Sequence, residues 1–181
     1  MRTISIRTIL TCTLAAIALA ACSPKYNWRD YTSPDAPYSV LFPEKPISHK
    51  RTIDLDGMQV EMTMTAAQVD GITFAVGSAQ APDAAKAEAA LAAMQTALLR
   101  NIDAKITKQS TRAQEKTGPS GPTRSSRVDV EATGAQKGVP MRLVGRFEAR
   151  DKRFYQVIVM GKDKVAPREQ VEMFMSSFKL Q

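Results

Sequence analysis

The sequence predicts an α+β domain in which a single antiparallel β-sheet is flanked by helices. Three observations carry this. Segments of period-two alternation recur from about residue 38 to residue 80 and again beyond residue 104; an alanine-rich stretch of helical periodicity separates the two groups; and a second helical stretch follows Pro167. Side chains on a strand repeat every two residues and on a helix every 3.6, so the two kinds of segment separate cleanly within one chain.

In chain order, "YSVLF" alternates Tyr38, Val40 and Phe42 against Ser39 and Leu41, and Pro43 and Pro46 end it. "RTIDL" and "MQVEMTMTA" flank Asp56-Gly57, a dipeptide suited to the left-handed turn of a tight hairpin. Met58, Val60, Met62 and Met64 face one way and Gln59, Glu61, Thr63 and Thr65 the other, as on a half-buried strand. Asp70-Gly71 repeats the device before "ITFAVGSAQ". An antiparallel meander over residues 38–80 is expected.

Asp83, after Pro82, is a natural N-cap for "AAKAEAALAAMQTALLRNI", and Ala84, Ala87, Leu91, Met94, Leu98 and Ile102 form its apolar stripe. The opposite face carries Lys86, Glu88 and Gln95, so the stripe reads as core packing on a sheet rather than as a membrane-inserting face. "AKITKQSTRAQEK" and "TRSSRVDVEA" read as strands separated by the loop "TGPSGP". In "VPMRLVGRFEAR", Met141, Leu143, Phe147 and Ala149 share one face and Arg142, Arg146, Glu148 and Arg150 the other. "FYQVIVMG" is apolar on both faces, the mark of a central strand. Pro167 opens a last helix with Val171, Phe174 and Phe178 on one side. One core is expected, built from Val40, Phe42, Val60, Met62, Leu91, Met94, Leu98, Phe147, Val157, Phe174 and Phe178.

The chain begins as an export signal, with Arg2 and Arg7 in a basic head followed by the apolar "ILTCTLAAIALA". That run is too short for a helix spanning a bilayer, which needs roughly twenty residues. "LAAC" resembles the bacterial lipobox, in which a dedicated peptidase cuts before a cysteine that carries diacylglycerol; the competing reading is an A-x-A site at Ala18–Ala20 for the general signal peptidase. The lipobox is favoured because the only other cysteine, Cys12, lies in the removed segment, and a thioether disposes of an otherwise unpaired exported thiol. The expected divisions are a signal peptide over 1–21, a lipidated N-terminus and short tether over 22–27, and one domain over 28–181. Stable attachment takes more than one acyl chain, which an acylated diacylglyceryl cysteine supplies. Ser23 after Cys22, in place of an aspartate, favours the periplasmic face of an outer membrane where the host has one.

Composition is that of an ordinary globular protein, 44% hydrophobic and 24% charged. The net charge of +7 falls to +5 without Arg2 and Arg7, which suits anionic head groups or acidic envelope proteins, and an exported location argues against nucleic acid.

"WRDYTSPDAPYSVLFPEKP", the strand-rich middle, the central helix and the ending "RFYQVIVMGKDK…VEMFMSSFKL" resemble small bacterial lipoproteins with a PsbP-like domain. That resemblance implies an α/β sandwich, and it brings no catalytic motif and no cofactor.

Chemistry is sparse. His49 is the only histidine, so neither a histidine metal site nor a catalytic dyad of histidines can form in one chain, and it reads as a surface residue. No phosphate-cradling glycine loop and no G-x-S-x-G elbow is present. Asp54 and Asp56 read as a solvated turn pair, and Met58, Met62 and Met64 as core rather than a copper(I) site. Trp28, Tyr31 and Tyr38 read as a cap on the sheet rather than a sugar-stacking cluster. No cofactor or metal is expected. The candidate binding residues are Arg142, Arg146 and Arg150 on one strand, joined by Arg124 or Arg127 from its neighbour, with Trp28 as a second centre and Cys22 as the lipidation site. The favoured function is a noncatalytic, membrane-anchored envelope module that binds a protein, glycan or lipid partner. The alternative is an envelope hydrolase or transferase using carboxylates such as Asp129 and Glu131.

Overall fold

Asp56 and Gly57 both take positive φ, as do Asp70 and Gly71, so two tight turns fold the first half of the chain into the expected hairpins. The structure is a computed structural model that describes residues 25–118, 121–162 and 167–181; the signal segment and Cys22 lie outside these residues. The turns join β3 (Ile47–Leu55), β4 (Met58–Val69) and β5 (Ile72–Gln80) into a meander. A second meander comprises β6 (Lys105–Gly118), β7 (Gly121–Gln136), β8 (Val139–Arg150) and β9 (Arg153–Lys162). Antiparallel pairing of β5 with β9 fuses them into one seven-stranded sheet of order β3-β4-β5-β9-β8-β7-β6.

Helix α1 (Ala84–Asn101) carries the chain from the middle of the sheet at β5 to its far edge at β6, crossing one face. The Asp83 carboxylate accepts from the Lys86 N–H at 2.8 Å and starts the helix. Ala87, Ala90, Leu91 and Met94 bury against Val130, Leu143, Phe147, Phe154 and Ile158 of the sheet, with Val60 and Met62 in the same cluster.

The other face is covered differently. A three-stranded sheet of order β1-β2-β10 is made by β1 (Arg29–Thr32), β2 (Tyr38–Phe42) and β10 (Lys179–Leu180), and the ten-residue helix α2 (Arg168–Ser177) lies beside it. Tyr38, Val40, Phe42, Phe174 and Phe178 close a second cluster over Phe74, Val76, Tyr155, Val157 and Val159. The rings meet mostly edge-on or tilted, as Phe74 and Phe174 do at 5.4 Å.

This corrects the expected fold class. The described residues are 60% strand and 19% helix, arranged as two antiparallel sheets with two helices, not as an α+β sheet flanked by helices. The reason is length: α2 is too short to cover a wide sheet, so terminal strands supply the rest of the layer. "YSVLF" accordingly leaves the predicted meander for the small sheet, and the single expected core divides into two clusters, one per face. Ten of the eleven expected core residues are buried, and Leu98 packs half-buried on the first cluster.

Candidate functional site

The small sheet and α2 cover β4, β5 and β9, reach the near side of β8 at Val144 and Arg146, and leave the rest of β8 with β6 and β7 open on the same face. Register fixes which side chains stand there. Lys108, Ser110, Arg112 and Gln114 of β6 lie opposite Glu131, Asp129, Arg127 and Ser125 of β7. Asp129 and Arg127 lie in turn opposite Arg146 and Glu148 of β8, with Arg142 and Arg150 at the two ends of the row. With Lys105, opposite Thr133, the described side chains on this face of the three strands are seven cations against three acids.

Much of that charge is committed internally. Arg127 donates to both Asp129 oxygens at 2.7 and 3.1 Å, and Arg146 Nε donates to Oδ1 at 2.9 Å. Arg146 also donates to the Met175 carbonyl of α2 at 3.0 Å, and only 13% of its side chain is exposed. Glu131 sits between Lys108 at 3.7 Å and Arg142 at 3.4 Å. Burial alone would raise the Asp129 pKa, but the hydrogen bonds and charges of Arg127 and Arg146 outweigh it and hold the carboxyl below its usual range. Glu148 is pushed upward by burial, which the nearby Arg127 and Arg146 charges only partly offset.

The surplus is in the remaining arginines. Arg112 stands directly across from Arg127, and Arg150 directly across from Arg153 on β9. Like charges in opposed cross-strand positions are unfavourable. Neither Arg112 nor Arg150 forms an ion pair among the described residues. Between this face and α2 runs a cleft of about 620 Å³, with Val144, Val171 and Met175 along it and Lys108, Arg142 and Arg168 at its polar parts. A hollow of about 260 Å³ beside Phe178 brings Arg127, Arg146, Arg150 and Glu148 together.

Of the residues named from sequence, Arg127, Arg142, Arg146 and Arg150 share the open face. Arg124 is on the opposite face, 4.0 Å from Glu115. Trp28 belongs elsewhere: it stacks on Tyr26, meets Phe74 edge-on and donates from Nε1 to Gln170 at 3.1 Å, a cap on the second cluster. Tyr26 packs with it, so the docked chain begins ahead of Trp28. His49 is exposed on the edge strand β3, and Asp54 accepts from the Gly57 N–H within its own turn. Among the described residues no group of three His, Cys, Asp or Glu side chains has metal-site geometry, and no helix is long and apolar enough to cross a membrane.

Sequence reading missed Lys105, Lys108 and Arg112. The alternation of Lys108, Ser110, Arg112 and Gln114 was a readable signal, whereas Lys105 joins the face only through the register shift between Ile106 and Lys108. The last helix and Val171 on its apolar side are expected from the sequence, but the helix's place as a wall of this cleft is not. No known protein family and no curated protein matches the chain.

Proposed function

We propose that this protein is a noncatalytic, lipid-anchored module of a bacterial cell envelope whose open β6–β8 face receives an anionic partner. The observation that carries the reading is a large part of a sheet face left uncovered, whose described side chains are seven cations against three acids. Guanidinium groups at strand spacing make charge-assisted, bidentate bonds to carboxylates and phosphates. Arg112, Arg142 and Arg150 are the contact residues, and Arg146 is a positioning residue that joins Asp129 to α2. The resemblance to PsbP-like lipoproteins contributes the envelope setting only. The carboxylates favour binding over hydrolysis, because Asp129 is held ionised by two arginines and Glu131 lies between two cations.

The test is a photo-crosslinking residue at Ser110, in the middle of the face, compared with one at Glu88 on the exposed side of α1, in the full chain expressed in cells. An acidic protein adduct from position 110 alone is expected. Equal adducts from both positions would remove the face as the binding surface. In parallel, Cys22→Ser is expected to leave the precursor uncleaved, and normal processing with release of soluble protein would overturn the anchor.

A further inference from the structure

Lys25, the first described residue, has its ammonium 2.5 Å from Asp70, at the turn between β4 and β5. Cys22 stands three residues earlier, and an extended chain covers about 3.6 Å per residue, so its Cα lies within about 11 Å of the Lys25 Cα, whose side chain reaches that turn. The end of the sheet bearing the turn therefore faces whatever surface holds the lipid.

The pairs Thr73↔Met160 and Met141↔Lys162 put the β7–β8 turn at this same end. Among the described residues the β7–β8 hairpin runs past the strand beside it. It continues through Ala135↔Pro140 and Gln136↔Val139, two rungs past the last described β8–β9 pair, before turning at Lys137-Gly138 with both residues at positive φ. At about 3.4 Å per residue this is a finger roughly 10 Å long, counting the turn. Residues 135–140 are all exposed. The finger is braced: the Ala135 N–H donates to the Ile102 carbonyl at 2.6 Å, and a Cβ on Gly134 would overlap that same oxygen.

Its chemistry is amphipathic. Four large hydrophobic residues are exposed among the described ones, and three of them, Val139, Ile106 and Ile47, lie at the starts of strands at this end. Lys137 stands at the tip with Lys105 and Lys162 behind it, none ion-paired among the described residues, while Asp70 is occupied by Lys25. A braced hairpin that sets exposed Val139 and Pro140 beside the Lys137 ammonium complements the boundary between phosphate head groups and acyl chains.

We infer that the β7–β8 finger is a membrane-contact element: Val139 and Pro140 enter the interface of the bilayer that carries the Cys22 lipid, and Lys137 meets its phosphates. This inference rests on the lipid-anchor reading above. With two points of attachment the domain stands in one orientation, β-strand ends down, and the arginine face opens sideways along the membrane instead of lying flat against it.

The test uses the lipidated full-length product in phosphatidylglycerol–phosphatidylethanolamine vesicles doped with a spin-labelled lipid. After maturation Cys22 is blocked by its thioether, so a fluorophore on Val139→Cys or on Lys152→Cys, at the opposite end, is placed uniquely. Quenching at position 139 at least threefold stronger than at 152 is expected, and it should weaken when Lys137→Glu is added. Equal quenching at the two positions, in protein that remains vesicle-bound, overturns the contact while leaving the anchor intact. Shielding of position 139 only after an envelope protein is added overturns it too. A protein whose Cys22 takes the fluorophore and that fails to sediment with vesicles overturns the anchor, and the finger's role with it.

Discussion

Asp129 shows how a charge row becomes structure. Its two oxygens accept three hydrogen bonds from Arg127 and Arg146, and Arg146 passes the tie to the Met175 carbonyl, so one carboxylate helps dock a helix distant in sequence. Because the folded-state pKa lies below the unfolded one, this contribution is fully present above the unfolded value and is lost as pH falls through the folded value. Glu148 has the opposite sign: its raised pKa means that ionisation opposes folding, and the contribution present at acid pH is lost as pH rises through the folded value. Asp129→Asn is therefore expected to cost about 1 kcal/mol at pH 7, a figure kept small by partial exposure and screening. Glu148→Gln should be neutral or slightly stabilising there. Urea denaturation at pH 7 and at pH 3 checks both, since the gap between Asp129→Asn and the parent should narrow at the lower pH.

The elements around α2 show what a short helix does when it lacks the area to cover a sheet. Phe174 sits fully buried between Phe42 of the small sheet and Phe74 of the large one, at 5.5 and 5.4 Å, and Ser177 donates back to the Phe174 carbonyl while accepting from the Leu41 N–H. Phe174→Ala is expected to cost roughly 3 to 5 kcal/mol in equilibrium unfolding. A loss under about 1 kcal/mol would mean that α2 is not held by this contact. The residues of this contact were legible as core, because Phe42 alternates on a strand and Phe174 falls on a helical stripe. Their layer was not. "RDYT" has too little alternation and "KL" is too short to register as strands, yet both pair with β2, and pairing between the two ends of a chain leaves no local trace. The long strands β6 and β7 show the same limit. Their period was visible, but the face left open depends on how far the terminal layer reaches.

At the scale of the whole molecule, the uneven cover turns an ordinary set of surface arginines into a surface with one open, cationic side. A row on a sheet that was covered throughout would have to be neutralised; here only the part nearest α2 is, through Asp129 and Glu131, and the excess remains at Arg112 and Arg150. This decides which substitutions are informative. Arg146→Gln would break the link to Asp129 and Met175, so lost binding in that variant would not distinguish a missing contact from a loosened helix. Arg112, Arg142 and Arg150 are more exposed, and changing all three to glutamine removes three charges while leaving a polar, hydrogen-bonding side chain at each position. The triple variant is expected to keep its unfolding midpoint and to lose most of its binding to an acidic partner. Binding by the parent should weaken as salt rises from about 0.05 to 0.5 M, because the Debye length falls from roughly 14 to 4 Å over that range and exposed charges stop sensing one another. Undiminished binding by the triple variant at low salt would relocate the contact to the apolar cleft wall of Val144, Val171 and Met175. The salt series then separates the two cases, since contact with that wall should persist where the arginine contact fades.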